Sequence, residues 1–455
     1  MLIINPATET VIATLTPDTP ETIANQYKMA KTAQTNWAEK SLAQRLAIIE
    51  VFSELLDAEK ETLALTLSSE MGKPLQEALN EVQGARQRIG FFLQNSQRWL
   101  SAESITPTGG TLEHVTYEPL GVIANISAWN YPFLVGVNVY VPALAAGNAV
   151  LYKPSEHATL TGLHMAALWQ KAGLPEGCFS VVVGDATAGE ALLNLPLDGY
   201  FFTGSYRTGK HIAEKVAGKL VPLGLELGGK DPLYVADDVL NVKLVAEAVL
   251  EGAFYNNGQS CCAVERVYVH HAVYTAFLDA LAAAATQVVV GSPLDKTTTN
   301  GPLSRKPQLA FLQGQVEDAL LKGAQVLWQY QGTLPQNGYF FKPILLTNVN
   351  HDMRLMTEES FGPVLGIQLV ENDEAAAALM ADTPYGLTAS VYSSSAARAE
   401  NILKQMATGT VYWNCCDRVS ANLPWSGRGQ SGLGSTLGFE GIRSFVQPKA
   451  WHMRK

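Results

Sequence analysis

Short apolar runs recur along this chain with room for one helix between each pair, and that rhythm is the strongest constraint on its fold. The runs at 122–126, 149–152, 179–183 and 200–202 have the length of strands and few polar interruptions. Apolar residues at helical spacing lie between them, at 133–144, 160–172 and 188–193. Near-continuous apolar strands are strands covered on both faces, and their alternation with helices predicts a doubly wound parallel sheet. Gly173-Leu174-Pro175 supplies a helix stop, since glycine closes helices and proline cannot continue them. A second series follows Gly228, with strands expected at 233–235, 266–269, 326–328, 364–369, 389–392 and 410–413. Helices are expected there at 242–254, 274–286, 306–322, 374–381 and 396–406. Ahead of both series, amphipathic helices are expected at 24–37, 42–68 and 75–100. After the turn residues Pro107-Thr108-Gly109-Gly110, 111–117 reads as a strand, and 442–446 reads as a last short one. A chain of 455 residues exceeds one hydrophobic core, so the fold class is α/β with two lobes, the leftover hairpin and tail being available for subunit contact.

Charge and cysteine usage narrow the partners. The net charge of -10 and the absence of any Lys/Arg run speak against nucleic acid. The stretch 119–152 has no charged residue, but prolines, glycines and asparagines interrupt it, so a buried region is expected and no membrane partner. The opening Met1-Leu2-Ile3-Ile4-Asn5-Pro6 has no basic n-region before an apolar stretch, so no secretory leader is expected. Five cysteines without a CxxC pattern predict neither a disulfide framework nor a metal site, and a cytoplasmic location follows. His270 and His271 are neighbours on a strand and point to opposite faces, so they do not share an ion.

Four segments carry residue types suited to chemistry. In Asn256-Asn257-Gly258-Gln259-Ser260-Cys261-Cys262, a tight loop presents thiols; each cysteine serves equally as a nucleophile or as a small buried hydrophobe. In Leu225-Glu226-Leu227-Gly228-Gly229-Lys230, a carboxylate between leucines suits a general base, or ends a strand exposed before a turn. In Trp129-Asn130-Tyr131-Pro132, the amide of Asn130 either stabilises an oxyanion or caps the helix that follows. Lys153-Pro154-Ser155-Glu156 and Phe202-Thr203-Gly204-Ser205 each follow a strand, where ribose and phosphate groups bind in open α/β sheets, or simply start helices. No GxGxxG stands at these turns, and Gly432-Leu433-Gly434-Ser435-Thr436-Leu437-Gly438 has the wrong spacing for one.

In this order the motifs resemble the aldehyde dehydrogenase superfamily over nearly the whole chain. Tyr117-Glu118-Pro119-Leu120-Gly121-Val122, Pro142-Ala143-Leu144-Ala145-Ala146-Gly147-Asn148 and Glu358-Glu359-Ser360-Phe361-Gly362-Pro363 complete the set. The resemblance implies Cys261 as nucleophile, since the family's cysteine follows Gly-Gln-x, with Glu226 activating water and Asn130 with the Cys261 amide as oxyanion hole. It implies Lys153 and Glu156 on the adenosine ribose, with Ser155 beside them, and Gly204 and Ser205 near the pyrophosphate. Glu359 and Phe361 would position the nicotinamide ribose and ring, and Trp129 and Gly228 would also bind the cofactor. It further implies NAD or NADP as cofactor, a small aldehyde as substrate and a homodimer or homotetramer. Glu156 favours NAD, because a carboxylate repels a 2′-phosphate. A cofactor domain at 1–105 and 122–227, a catalytic domain at 228–411 and an oligomerisation element at 106–121 and 412–455 are implied too.

The chain departs from the family pattern at Ala128, where proline often precedes the Trp-Asn pair, and at Pro424-Trp425-Ser426-Gly427-Arg428-Gly429, where Pro-Phe-Gly-Gly-x-Lys is usual. At Asn138, members acting on succinate semialdehyde often carry Arg, and betaine aldehyde members often carry Trp. Two other readings stay open: a CoA-acylating relative, which Glu226 argues against, and a non-catalytic relative, which the set of Cys261, Glu226 and Asn130 argues against.

Overall fold

The computed structural model describes residues 1–105 and 111–454. The first sheet is built from Val122–Ile126, Ala149–Lys153, Phe179–Val181, Gly199–Thr203 and Leu223–Glu226, all parallel. Its spatial order starts in the middle: the chain winds from Val122–Ile126 outward to Phe179–Val181, then returns to place Gly199–Thr203 on the other side. Side chains alternate between two cores. Ile123, Val150, Tyr152 and Phe201 face one, and Val122, Ala124, Leu151, Tyr200 and Phe202 face the other. Both faces are thus covered by helices, which explains the uncharged stretch 119–152. Its helix Pro132–Ala146 is buried along most of its length, and among the described residues no helix is long and apolar enough to cross a membrane.

The second sheet runs Gln325–Gln329, Ile344–Thr347, Val364–Val370, Val264–His270, Asp231–Val235, Thr388–Tyr392 and Thr410–Trp413 in space. Only its first strand is antiparallel. It too separates two cores, with Tyr234 and Tyr268 on one side and Leu233, Val267 and Val269 on the other. In a third sheet Thr111–Pro119 lies between Val446–Arg454 and Glu103–Ile105, antiparallel to both. The expected turn Pro107 to Gly110 lies outside the described residues.

Several expectations are corrected. The helix expected at 42–68 is two helices, Leu42–Ala58 and Lys60–Met71. The break falls at Glu59, whose backbone leaves the helical region with φ of -105° and ψ of 13°, and whose carboxylate pairs with Lys171 and His164 of a distant helix. The strand expected at 442–446 is the helix Gly438–Arg443, and the strand begins at Val446. Ile442 there is fully buried, and a short apolar run carries no period strong enough to separate the two states. The helix Tyr206–Val216 and the strands Leu223–Glu226 and Ile344–Thr347 were not anticipated. Gly432–Leu433, from the tail, adds an antiparallel edge to the first sheet beside Leu225 and Glu226.

The helices Leu42–Ala58, Lys60–Met71 and Leu75–Leu100 pack on Pro132–Ala146 and Thr159–Lys171 around Phe52, whose ring stacks on Trp169 with centroids 3.6 Å apart and an interplanar angle of 3°. Phe52 is fully buried. Phe52→Ala is expected to cost about 3–5 kcal/mol through lost transfer energy and the cavity left behind; a denaturant titration followed by far-UV circular dichroism checks it.

Candidate active site

In an open α/β sheet, ligands bind where the strand order reverses, outside the carboxyl ends of the two diverging strands. Here those strands are Val122–Ile126 and Gly199–Thr203. The segments leaving them are Ser127-Ala128-Trp129-Asn130 and Gly204-Ser205, both singled out from the sequence.

Asn130 does not cap the helix after it. The cap position of Pro132–Ala146 is Tyr131, with no side-chain bond. The amides of Phe133 and Leu134 donate instead to a carboxylate oxygen of Glu81, at 2.9 and 3.4 Å. Glu81 is ion-paired with Lys73, and both side chains are wholly buried. The Lys73 ammonium also donates to the Asn130 carbonyl at 2.7 Å and stands 3.7 Å from the centroid of the Tyr131 ring. Held this way, Asn130 turns its side-chain amide onto the carbonyl of Gln259 at 3.0 Å. That contact joins the first lobe to the thiol loop.

The thiol loop is shaped by backbone that most side chains avoid. Asn256 and Asn257 are both left-handed, with φ of 51° and 58°, a conformation asparagine tolerates better than most residues. Gly258 follows with φ of 67°, and a Cβ there would stand 2.8 Å from the Ala253 carbonyl. The Asn256 side chain donates to the carbonyls of Asn130 and Gln259, and the Asn257 side chain to those of Gly301 and Pro302. The loop thereby sets the two cysteines apart. Cys261 is half-buried, whereas Cys262 is sealed at 4% exposure. The Cys262 thiol donates to Asp417 at 3.0 Å. Its hydrogen bond with Cys261, its burial and the Asp417 charge all push its pKa well up. Cys262 therefore keeps its proton, and Cys261 is the thiol open to a ligand.

Glu226 ends its strand in register with Thr203 on one side and Gly432 on the other. Its carboxylate is half-buried and accepts a hydrogen bond from Thr436. Burial raises its pKa to about 7, against the Thr436 hydrogen bond and the charge of Arg88. The two glycines after it permit close approach. A Cβ on Gly228 would run into the Glu359 carboxylate, and one on Gly229 would stand 2.8 Å from the Cys261 carbonyl. The Gly229 amide donates to Glu359 at 3.0 Å, and burial raises Glu359 to about 8. Phe361 has φ of 51°, and its ring meets Trp129 edge-on at 5.4 Å. A second buried ion pair, Lys230 with Glu265, fixes this segment: Glu265 accepts the amides of Ser360 and Phe361.

The remaining residues lie along the carboxyl edge of the first sheet. Lys153 is 4% exposed, and among the described residues its ammonium has one partner, the Pro154 carbonyl at 3.1 Å. Burial pulls its pKa down, opposed by Glu156 and Asp185. The Ser155 hydroxyl accepts the His157 amide and reaches Glu156 at 3.4 Å. Glu156 and Asp185 line a cavity of about 440 Å³ together with His157, Arg305 and Lys306. Gly204 donates its amide to the Glu226 carbonyl at 3.0 Å. Ser205 is exposed and caps the helix Tyr206–Val216 through the Thr208 amide. Thus Cys261, Asn130, Glu226, Gly228, Glu359, Phe361 and Trp129 form one connected site. Gly204 and Ser205 adjoin it beside Glu226, and Lys153, Ser155 and Glu156 follow farther along the sheet edge.

An open thiol, a desolvated carboxylate and a sheet crevice thus meet at the carboxyl ends of a doubly wound α/β fold. The chain belongs to the aldehyde dehydrogenase family, whose sequence profile matches residues 1–451. It is an NAD(P)-dependent oxidoreductase acting on aldehydes. It is 34% identical over 460 residues to a peroxisomal aminoaldehyde dehydrogenase 2 of Pisum sativum, covering 98% of this chain and 91% of that one. It is 34% identical over 454 residues to a betaine aldehyde dehydrogenase of Brucella anthropi, covering 98% and 92%. A betaine aldehyde dehydrogenase of Staphylococcus aureus solved in complex with NAD+ superposes with a TM-score of 0.95 at 28% identity, covering 100% of this chain and 92% of that one.

Thr436, Lys73, Glu81 and Arg88 were not singled out from the sequence. The site residues they hold lie far away along the chain, and no local pattern marks them. Thr436 gives the site a measurable handle. Its hydrogen bond lowers the Glu226 pKa, so Thr436→Val is expected to raise it above about 7. If Glu226 works as a base, it acts only when deprotonated. The acidic limb of the kcat–pH profile should then move to higher pH in the variant; a limb that stays in place, or moves to lower pH, refutes the coupling.

Proposed function

We propose that the family's reaction runs in this chain on Cys261, with Glu226 as base and Asn130 with the Cys261 backbone N–H as oxyanion hole. The observation that supports it most is the contrast between the two thiols: Cys261 is reachable and adjoins Asn130 and Gly229, whereas Cys262 is sealed and protonated. The Cys261 thiolate adds to the aldehyde carbon. Asn130 spends one of its two amide hydrogens on Gln259, which leaves the other for the developing oxyanion. Such a donor contributes ~3 kcal/mol. A bound nicotinamide supplies the acceptor for the hydride that leaves the carbon, and Cys261 is left as a thioester. Glu226 then takes a proton from water, the water oxygen attacks the acyl carbon, and the thiolate departs as the acid is released.

The residues present fit a dinucleotide. Lys153 is a buried cation with two donors unused, which suits ribose hydroxyls, and Glu156 beside it offers acceptors. Ser155 stands next to both. Gly204 and Ser205 lead into a helix N-terminus suited to pyrophosphate. Trp129, Gly228, Glu359 and Phe361 form the cradle for the nicotinamide end. We assign residues 1–105 and 122–227 to cofactor binding, 228–411 to catalysis, and 106–121 with 412–455 to subunit assembly. Assembly as a homodimer or homotetramer is supported by exposed apolar residues on the third sheet: Leu112 is 52% exposed and its register partner Met453 51%. Five free cysteines suit a reducing, cytoplasmic setting.

Cys261→Ser is expected to abolish aldehyde oxidation, whereas Cys262→Ser keeps substantial turnover; the opposite ranking would falsify the assignment. Glu226→Gln should give a burst of NADH followed by little turnover, because the thioester forms and then persists; stopped-flow absorbance at the NADH band reads both phases. NAD should be preferred to NADP, and Glu156→Gln should narrow the preference through the KM for NADP.

A further inference from the structure

The helix Leu75–Leu100 carries an arginine, Arg88, whose charge lowers the pKa of Glu226 and whose hydrogen-bonding capacity is only partly used. Arg88 is enclosed by protein yet half-buried by accessible surface, as a group lining a recess is. It bonds to Leu134 and Asn138 of the helix that follows Asn130, in the same packed cluster as Cys261, and its charge is felt first by Glu226. Glu81 is already neutralised by Lys73, and no ion pair to Arg88 exists among the described residues. One terminal nitrogen is tied down: Nη1 donates to the Asn138 side chain at 2.9 Å and to the Leu134 carbonyl at 3.3 Å. Asn138 is 2% exposed on Pro132–Ala146. The other edge of the guanidinium, Nε with Nη2, has no hydrogen-bond partner among the described residues. That edge is the one by which Arg398 grips the two oxygens of Asp373, at 2.7 Å each, elsewhere in this molecule.

We propose that Arg88 is a specificity-determining residue that receives the carboxylate of the substrate, so that the enzyme acts on aldehydes bearing a carboxylate at their far end. The inference rests on Cys261 being the nucleophile. Asn138 and the Leu134 carbonyl hold one side of the guanidinium, which leaves Nε and Nη2 for a ligand. A fork of two N–H donors matches a carboxylate bidentately, and a recess partly shielded from water strengthens the pairing. The same charge repels an ammonium group, so aldehydes of that kind are disfavoured here. Arginine reaches this place from a different helix than the one carrying Asn138.

The experiment compares kcat/KM for a four-carbon aldehyde acid, its methyl ester and a chain-matched ω-ammonium aldehyde. The acid should lead the ester by tenfold or more and the ammonium aldehyde by more still, on the order of a buried ion pair. In Arg88→Gln the ratio of acid to ester should fall about 100-fold, chiefly through KM, and Arg88→Lys should restore part of it because it keeps the charge without the fork. A second readout needs no turnover: the corresponding dicarboxylate should raise the melting temperature of the wild-type chain and not that of Arg88→Gln. Preference for the ester or the ammonium aldehyde, or equal loss toward acid and ester in the variant, overturns the proposal. So does equal stabilisation of wild type and variant by the dicarboxylate. Failure to oxidise any aldehyde would instead strike the nucleophile assignment, and the dicarboxylate melt still decides the role of Arg88.

Discussion

The site depends first on an ion pair that water never reaches. Lys73 and Glu81 are both fully buried, and removing two charges from water is costly unless further hydrogen bonds complete the arrangement. Those bonds are present, and each has a structural consequence. Glu81 takes the first free amides of the helix Pro132–Ala146, which no side-chain cap serves. Lys73 takes the Asn130 carbonyl and faces the Tyr131 ring. The pair therefore fixes where the first sheet's central strand ends and where its helix begins, and with them the direction of the Asn130 amide. Lys230 and Glu265 do the corresponding work for Glu359 and Phe361. Each lobe spends a buried pair on one loop.

Burial also sorts the site's ionisable groups. Asp417 is pushed up to about 6, Glu226 to about 7, and Glu77 and Glu359 to about 8. Desolvation is the first cause in all four, so the recess has a low effective dielectric throughout. In such a setting neighbouring thiols diverge sharply. Cys262 faces a carboxylate and no solvent, while Cys261 retains access to the recess. Chemical distinction between adjacent identical residues is thus a matter of a turn in the backbone, set by two left-handed asparagines.

The large elements were legible because their signal is local. The helix Leu75–Leu100 follows from its stripe, and the strands of both sheets from apolar runs bounded by turn residues. The break at Glu59 was not legible, since neither glycine nor proline marks it. By residue type the motif loops left Cys261, Glu226 and Asn130 with alternatives open, and it was their order along the chain, through the family resemblance, that singled them out. What lay beyond reach was support from afar. Thr436 lies 210 residues from Glu226, Lys73 lies 57 from Asn130, and Arg88 lies 50 from Asn138. Such pairings are written in the tertiary fold, and a single sequence offers no period that reveals them.

The tail's return to the first sheet sets an order on biosynthesis. Gly432 and Thr436 complete the surroundings of Glu226, although the strands they join emerge from the ribosome far earlier. A nascent chain can collapse its first lobe while translation continues, but the carboxylate then sits at an open sheet edge, wetter and more acidic than in the finished molecule. The surroundings of Glu226 are thus completed only after Gly432 and Thr436 have been made, long after the strands beside it.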